Sequence, residues 1–182
     1  MNNRTSGSFL SRMILVLALC VMGTSVSLFH TSSRAQSSES VKQAMTLLKS
    51  KTAKLGAPVV KGEDSVAGKQ VPALYFGATK MNNNFAVVDE VKQAMGGTAT
   101  LFVKSGDDFV RVATNVQKTD GSRAIGTVLD PKGKAISAIR QGDAYYGDAD
   151  ILGKPYVTGY EPIHDSSGTV IGIYYVGYPK PQ

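Results

Sequence analysis

The sequence predicts an α+β domain with one antiparallel sheet, its helices grouped on one side of the sheet and a leader in front. Three observations predict it. The periodicities run helix, strand, helix, two strands, helix, three strands, with Gly- and Asp-rich turns between the strands. The chain has 182 residues, enough for one domain. Its acidic residues all lie after residue 35, so composition divides the chain there. Residues 1–35 hold three of the 20 basic groups, and residues 36–182 hold 17 basic against 14 acidic groups, a net charge of +3. That charge gives no reason to expect nucleic acid as a partner.

The leader comes first. Arg4 and Arg12 precede the apolar run MILVLALCVM, and Ser33 and Ala35 supply small residues at −3 and −1. These are the parts of a secretory signal cleaved after Ala35, with Ser25 as a second small-x-small position. Two other readings stay open: an uncleaved anchor counted over residues 13–29, and a lipoprotein at Leu17-Ala18-Leu19-Cys20, where Leu19 is larger than that signal wants. All three place residues 36 onward outside the inner membrane, periplasmic or secreted, or tethered by the leader.

Residues 37–55 put Val41, Ala44, Met45, Leu48, Thr52 and Leu55 on one helical stripe that Gly56 and Pro58 end. The stripe packs on the domain's own sheet, or also forms a homodimer seam through Met45 and Leu48. Residues 57–70 read as an irregular connection. Residues 71–76 form a strand near an edge, because Pro72 cannot donate to a ladder. Asn82-Asn83-Asn84 is a turn and N-cap for a helix marked by Phe85, Val88, Val91 and Met95, which stops at Gly96-Gly97. Residues 98–103 and 109–116 form a hairpin across Ser105-Gly106-Asp107-Asp108, and Thr119-Asp120-Gly121 is a second turn. Asp130-Pro131 opens a helix as N-cap and first residue, and Gly142 closes it. Residues 145–152, 156–163 and 170–178 form a three-stranded meander, turning at Gly153-Lys154-Pro155 and Ser166-Ser167-Gly168.

The residues that carry chemistry are few. The single cysteine, Cys20, lies in the leader, and His164 is the one histidine after it. That set builds no zinc site of the usual kind, no disulfide and no cysteine nucleophile. The two Gly-to-Gly-Lys stretches, GEDSVAGK and GTVLDPKGK, lack phosphate-loop spacing and the following Ser or Thr. No nucleophile, base and orienting group can be assembled, so an enzyme is not expected.

Two features remain. After the leader the arginines are Arg111, Arg123 and Arg140. Arg140 suits the end of its helix. Arg111 in mid-strand and Arg123 in a loop are candidates for bidentate capture of a carboxylate. Seven of the eight tyrosines follow residue 144, and Tyr156, Thr158 and Tyr160 fall on one strand face, where hydroxyls can line a small polar cavity.

The blocks GGTATLF, RVATNV, DGSRAIGT, YYGDADILGKPY, YEPIHDSSG and IGIYYVG occur in this order over residues 85–177. They resemble the extracytoplasmic single Cache domains of the Cache 3/Cache 2 type, sensor domains of bacterial chemoreceptors and sensor kinases. The resemblance implies a PAS-like fold over residues 36–182: a central antiparallel sheet, a long N-terminal helix, and a ligand pocket on the sheet. It implies recognition of small molecules, often short organic acids, without catalysis or cofactor, and dimerisation through the N-terminal helix. It places Arg111 and Thr114, Arg123 and Thr127, Tyr146, and Tyr156 and Tyr160 as ligand-binding candidates. Strict alternation separates Arg111 from Thr114, so both reach one pocket only if their strand bulges. The end at PKPQ departs from receptors, which would enter a second membrane helix there. The expected function is therefore extracytoplasmic binding of a small organic anion, linked to chemotaxis or signal transduction. The other reading is an interaction protein with an occluded pocket that docks on a membrane sensor or chemoreceptor.

Overall fold

Alternation, turn chemistry and one amphipathic stripe together set the architecture that the computed structural model shows. It describes residues 26–181, with side chains from residue 37. Residues 1–25, which hold the charged and apolar parts of the leader, lie outside the described residues. Gln36–Gln182 forms one compact unit. Among the described residues no helix is long and apolar enough to cross a membrane.

Helix α1 (Val26–Ala53) leads into β1 (Pro58–Val66), β2 (Lys69–Phe76) and the two-residue β3 (Thr79–Lys80). Then come α2 (Ala86–Met95), β4 (Thr98–Ser105), β5 (Asp108–Thr114), α3 (Lys134–Arg140), β6 (Tyr145–Ile151), β7 (Lys154–His164) and β8 (Val170–Pro179). Every strand pair is antiparallel. The central sheet has the order β5-β4-β8-β7-β6, and β1-β2-β3 form a second, smaller sheet.

The second sheet corrects the irregular connection expected over residues 57–70. The β1–β2 register slips between Val60 and Glu63, where Gly62 takes a left-handed φ of 65°. That break erases the alternation by which a strand is recognised. Ala67 and Gly68 then turn the hairpin with φ of 50° and 78°, the doubly left-handed turn that matches strand twist. The β6–β7 turn is of the same kind. It is Leu152-Gly153, with φ of 54° and 85°, and the ladder resumes at Ile151 and Lys154, so Lys154 and Pro155 belong to β7.

The sheet's two faces carry two separate cores. On one face Leu101 and Val103 of β4 and Tyr174 and Val176 of β8 pack with α1, β2 and α2. Val41, Ala44, Met45, Leu48 and Thr52 of α1 are all at most 1% exposed. Met45 and Leu48 are thus buried within a single copy of the domain, so the stripe packs on the domain's own sheet, the first of the two expected readings. On the opposite face Phe102, Ile173, Tyr175 and Tyr160 pack with Ala135, Ile136 and Ile139 of α3. The expected grouping of helices on one side holds for α1 and α2, while α3 covers the other face.

Helix α2 ends where the sequence places it, at Gly96, and Tyr178 closes it by donating to the Met95 carbonyl at 2.7 Å. At its start Asn84 Oδ1 accepts the Ala86 N–H at 3.2 Å. Helix α3 starts later than expected. Asp130 Oδ1 accepts the Lys132 N–H and the Asp130 carbonyl accepts the Gly133 N–H, so Asp130-Pro131 makes a turn and Gly133 is the residue that precedes the helix. The local Asx bond competes with helix initiation at that point.

Candidate functional site

The site is built from a bulge in β5. Arg111 pairs with Phe102 but Ala113 pairs with Leu101, which leaves Val112 as the extra residue. The slip reverses the alternation beyond Val112. Arg111 and Thr114 thereby share one face, the face of Phe102, Tyr175 and Tyr160, as the bulge condition required.

Arg111 is 4% exposed. Its guanidinium carbon stands 4.9 Å from the centre of the Phe102 ring. One terminal nitrogen donates to Thr127 Oγ1 at 2.6 Å, and Thr127 Oγ1 in turn donates to the Ala124 carbonyl at 2.8 Å. The Nε–H is buried without a hydrogen-bond partner. Burial pulls the Arg111 pKa below its ordinary value, against the opposing pull of the Tyr160 and Tyr175 phenols.

The chain after β5 returns along its open edge. Arg111 N–H donates to the Thr127 carbonyl, Gly126 N–H to the Arg111 carbonyl and Leu129 N–H to the Phe109 carbonyl, each at 2.9 Å. This return puts Thr127 beside Arg111 and carries the chain into the Asp130 turn.

Between that turn, α3 and the edge strand β6 lies a cleft of about 290 Å³, near the small end of ligand pockets (~300–1,000 Å³). Arg111, Leu129, Tyr145, Tyr160 and Ile151 are among its lining residues. Tyr160 is 1% exposed and its ring lies 4.9 Å from that of Tyr175. Burial raises the Tyr160 pKa and the Arg111 charge opposes the rise, so the phenol stays a neutral donor at pH 7.

The structure brings three of the seven sequence candidates together: Arg111, Thr127 and Tyr160. Arg111 and Tyr160 line the cleft, Thr127 bonds Arg111 from outside the lining, and the other four are not part of it. Thr114 shares the face, but its Oγ1 is paired with Thr100 Oγ1 at 2.6 Å and accepts the Val116 N–H. Arg123 spends its fork on Asp89 of α2, with both bonds at 2.8 Å, and its guanidinium carbon stands 4.4 Å from the Phe85 ring centre. Tyr146 projects from the opposite face of β6 and donates to Glu161 Oε1 at 2.5 Å. Tyr156 shares the Tyr160 face and packs with the α3-side core. The third hydroxyl of that face, on Thr158, is committed to the Gly147 carbonyl at 2.8 Å.

Sequence reasoning missed Tyr145, Asp130, Lys132 and Lys134 in the lining. Tyr145 was legible as the same-face partner of Tyr160 across β6 and β7, a pairing that the structure shows directly. Asp130 was hidden by its resemblance to a helix cap.

The family model of the Cache 3/Cache 2 fusion domain matches residues 22–182. No curated protein matches the chain. Among solved structures it is similar to the ligand-binding domain of the Campylobacter jejuni chemoreceptor Tlp3 in complex with L-valine, at 12% identity and a TM-score of 0.39. It is also similar to the sensory domain of the same chemoreceptor, at 11% identity and a TM-score of 0.40. Each alignment covers 84% of this chain and 62% of the solved one, so the chain spans less than two thirds of their length.

Proposed function

Because the chain belongs to the Cache 3/Cache 2 fusion domain family, we propose that it is an extracytoplasmic sensing domain that binds a small organic anion in the cleft beside Arg111. The reading involves binding and no chemical step. The observation that supports it is the state of Arg111: a guanidinium in the interior, facing a cleft, with its Nε–H unmatched. A buried donor without a partner costs about 1–3 kcal/mol. A fold that retains such a group next to open space has a use for it, and a carboxylate satisfies two guanidinium N–H groups at once. Thr127 holds the guanidinium in place, and the Tyr160 hydroxyl supplies a further donor.

The chemotactic or signalling role, a membrane sensor as partner, dimerisation and the export or tethering of the domain belong to the same proposal. They follow from the family resemblance and the leader. The open cleft favours the binder over an interaction protein with an occluded pocket.

The test is a thermal-shift screen of short mono- and dicarboxylates on the wild type, Arg111→Lys and Arg123→Ala. A ligand at a hundred times its Kd adds ~2.7 kcal/mol to stability, a rise in Tm of roughly 5–10 °C. The expected result is a rise in the wild type and in Arg123→Ala, with loss in Arg111→Lys, because lysine cannot reproduce the fork. Equal stabilisation of Arg111→Lys removes Arg111 from the site.

A further inference from the structure

We propose that Lys69 and Asn83 are positioning residues of the Arg111 site, so that the small sheet, which does not line the cleft, sets how well the cleft binds. The inference rests on the carboxylate reading above and adds to it the contacts that fix the pose of the guanidinium.

The bulge of β5 makes such contacts necessary. With Val112 as the extra residue, Arg111 pairs with Phe102 and shares its face. A bulge moved back by one residue would put Val112 opposite Phe102 in its place, because a one-residue slip exchanges the two faces. The guanidinium resists such a slip weakly. Its one side-chain hydrogen bond goes to the neutral Thr127, and its Nε–H is unmatched. The pose of Arg111 therefore depends on the bulge behind it and on Thr127 beside it.

The small sheet grips both. Asn83, in the turn after β3, donates its backbone N–H to the Val112 carbonyl at 2.8 Å and so pins the extra residue where it stands. Asn83 is itself held by β1, because its Nδ2 donates to the Ser65 carbonyl at 3.0 Å. Asn82 ties the same turn to β2. Its Oδ1 accepts the Leu74 N–H at 2.9 Å and its Nδ2 donates to the Pro72 carbonyl at 3.2 Å. Asn83 has a left-handed φ of 59°, a conformation that asparagine tolerates better than most residues.

The second grip is on the returning segment. Lys69 Nζ donates to the Gly126 carbonyl at 3.1 Å, one residue before Thr127. The β1–β2 hairpin tip lies against the same residue: a Cβ on Gly126 would stand 2.6 Å from the Ala67 Cβ. The Gly126 N–H in turn bonds the Arg111 carbonyl. None of residues 58–84 lines the cleft. Lys69 and Asn83 thus act through the Arg111 backbone and Thr127, and not on the ligand. A guanidinium already held in its binding pose loses less freedom when a carboxylate arrives, and affinity rises by that saving.

The test combines calorimetric titration of the full chain with acetate, propionate and succinate and nitrogen NMR of the Arg111 guanidinium. The variants are Lys69→Met, Lys69→Arg and Asn83→Gly. Lys69→Met deletes the donor on an exposed stem. Asn83→Gly keeps the left-handed backbone and its N–H, deletes the bond to Ser65 and changes no charge, so a shared effect is not the loss of long-range attraction by Lys69. Both are expected to weaken the acid that binds the wild type by about two- to tenfold, the worth of one net hydrogen bond. In the wild type the two terminal nitrogens of Arg111 should give separate signals, because the bond to Thr127 stops their rotation. In both variants the signals should merge without ligand. Lys69→Arg retains a cationic donor and should restore both affinity and signals. Wild-type affinity and separate signals in Lys69→Met and Asn83→Gly overturn the inference and leave the carboxylate reading intact. A lower Tm with Kd and signals unchanged overturns it too, since the small sheet then serves stability alone. If none of the three acids binds the wild type, the carboxylate reading falls and the inference falls with it.

Discussion

Arg111 costs the folded protein stability that its packing does not return in full. It is buried, its Nε–H is unmatched, and its one hydrogen-bonded side-chain partner is neutral. Replacing a buried charged group by an apolar one of similar volume is often neutral or stabilising. Arg111→Met is therefore expected to match the wild type in urea unfolding to within about 1 kcal/mol, or to exceed it, while losing all carboxylate-induced stabilisation. A loss of several kcal/mol without ligand would instead make Arg111 a structural residue. Glu161 is the converse case. Burial acts to raise its pKa, but the hydrogen bonds from Lys49 and Tyr146 outweigh burial and leave it below the ordinary 4.5. A depressed carboxylate stabilises the fold above its unfolded pKa, and that stability is lost as pH falls from there through the folded pKa. Glu161→Gln should thus be destabilised near pH 7 by about 1 kcal/mol, the upper range for a partly exposed pair. The gap to the wild type should close below about pH 4, which denaturant melts at pH 7, 5 and 3.5 will measure.

Among the elements, β8 shows how tightly the central sheet is drawn. A Cβ on Gly172 would lie 2.3 Å from the Phe102 carbonyl oxygen of β4, a backbone atom that cannot swing aside. Gly172→Ala is expected to cost at least ~1–3 kcal/mol as overpacking, read as a lower urea midpoint with an unchanged m-value. Tyrosines exploit such positions. The Tyr175 ring lies over Gly177 and the Tyr145 ring over Gly147, each two residues along the same face. The tyrosine-rich end of the sequence is thus mostly sheet packing, and Tyr145 and Tyr160 are the ones that reach the cleft. Most strands and α2 were legible because alternation and turn residues are local properties. β1 was not legible, because its bulge at Lys61-Gly62 breaks the alternation and its pairing with β2 makes it a strand.

For the whole molecule, the decisive arrangement is a sheet with a core on each face, α1 on one and the cleft on the other. Leu48 of α1 is 0% exposed within a single copy of the domain. Leu48→Glu would bury a charge without a partner, so it should lower Tm by more than 10 °C or prevent folding. A variant that keeps its Tm and sediments as a smaller species would return the stripe to a dimer interface. Lys49 and Tyr146 meet on Glu161, so α1 is tied directly to β6 and β7, two strands whose other face borders the cleft.

The sequence by itself determined the α+β class, the hairpin of β4 and β5, the meander of β6 to β8, the limits of α2 and the apolar stripe of α1. Each of these is written in spacing along one segment. Its ordered motifs also carried the family. The tertiary structure alone decided that the stripe is core, that α3 takes the opposite face, and that a bulge turns Arg111 and Thr114 the same way. It also decided which arginine is free to bind. Arg111 and Arg123 look alike in the sequence, but Asp89, 34 residues away, satisfies Arg123, while Arg111 meets a cleft. A charge's partner is set by where distant elements pack, and no pattern of neighbours along the chain encodes that distance.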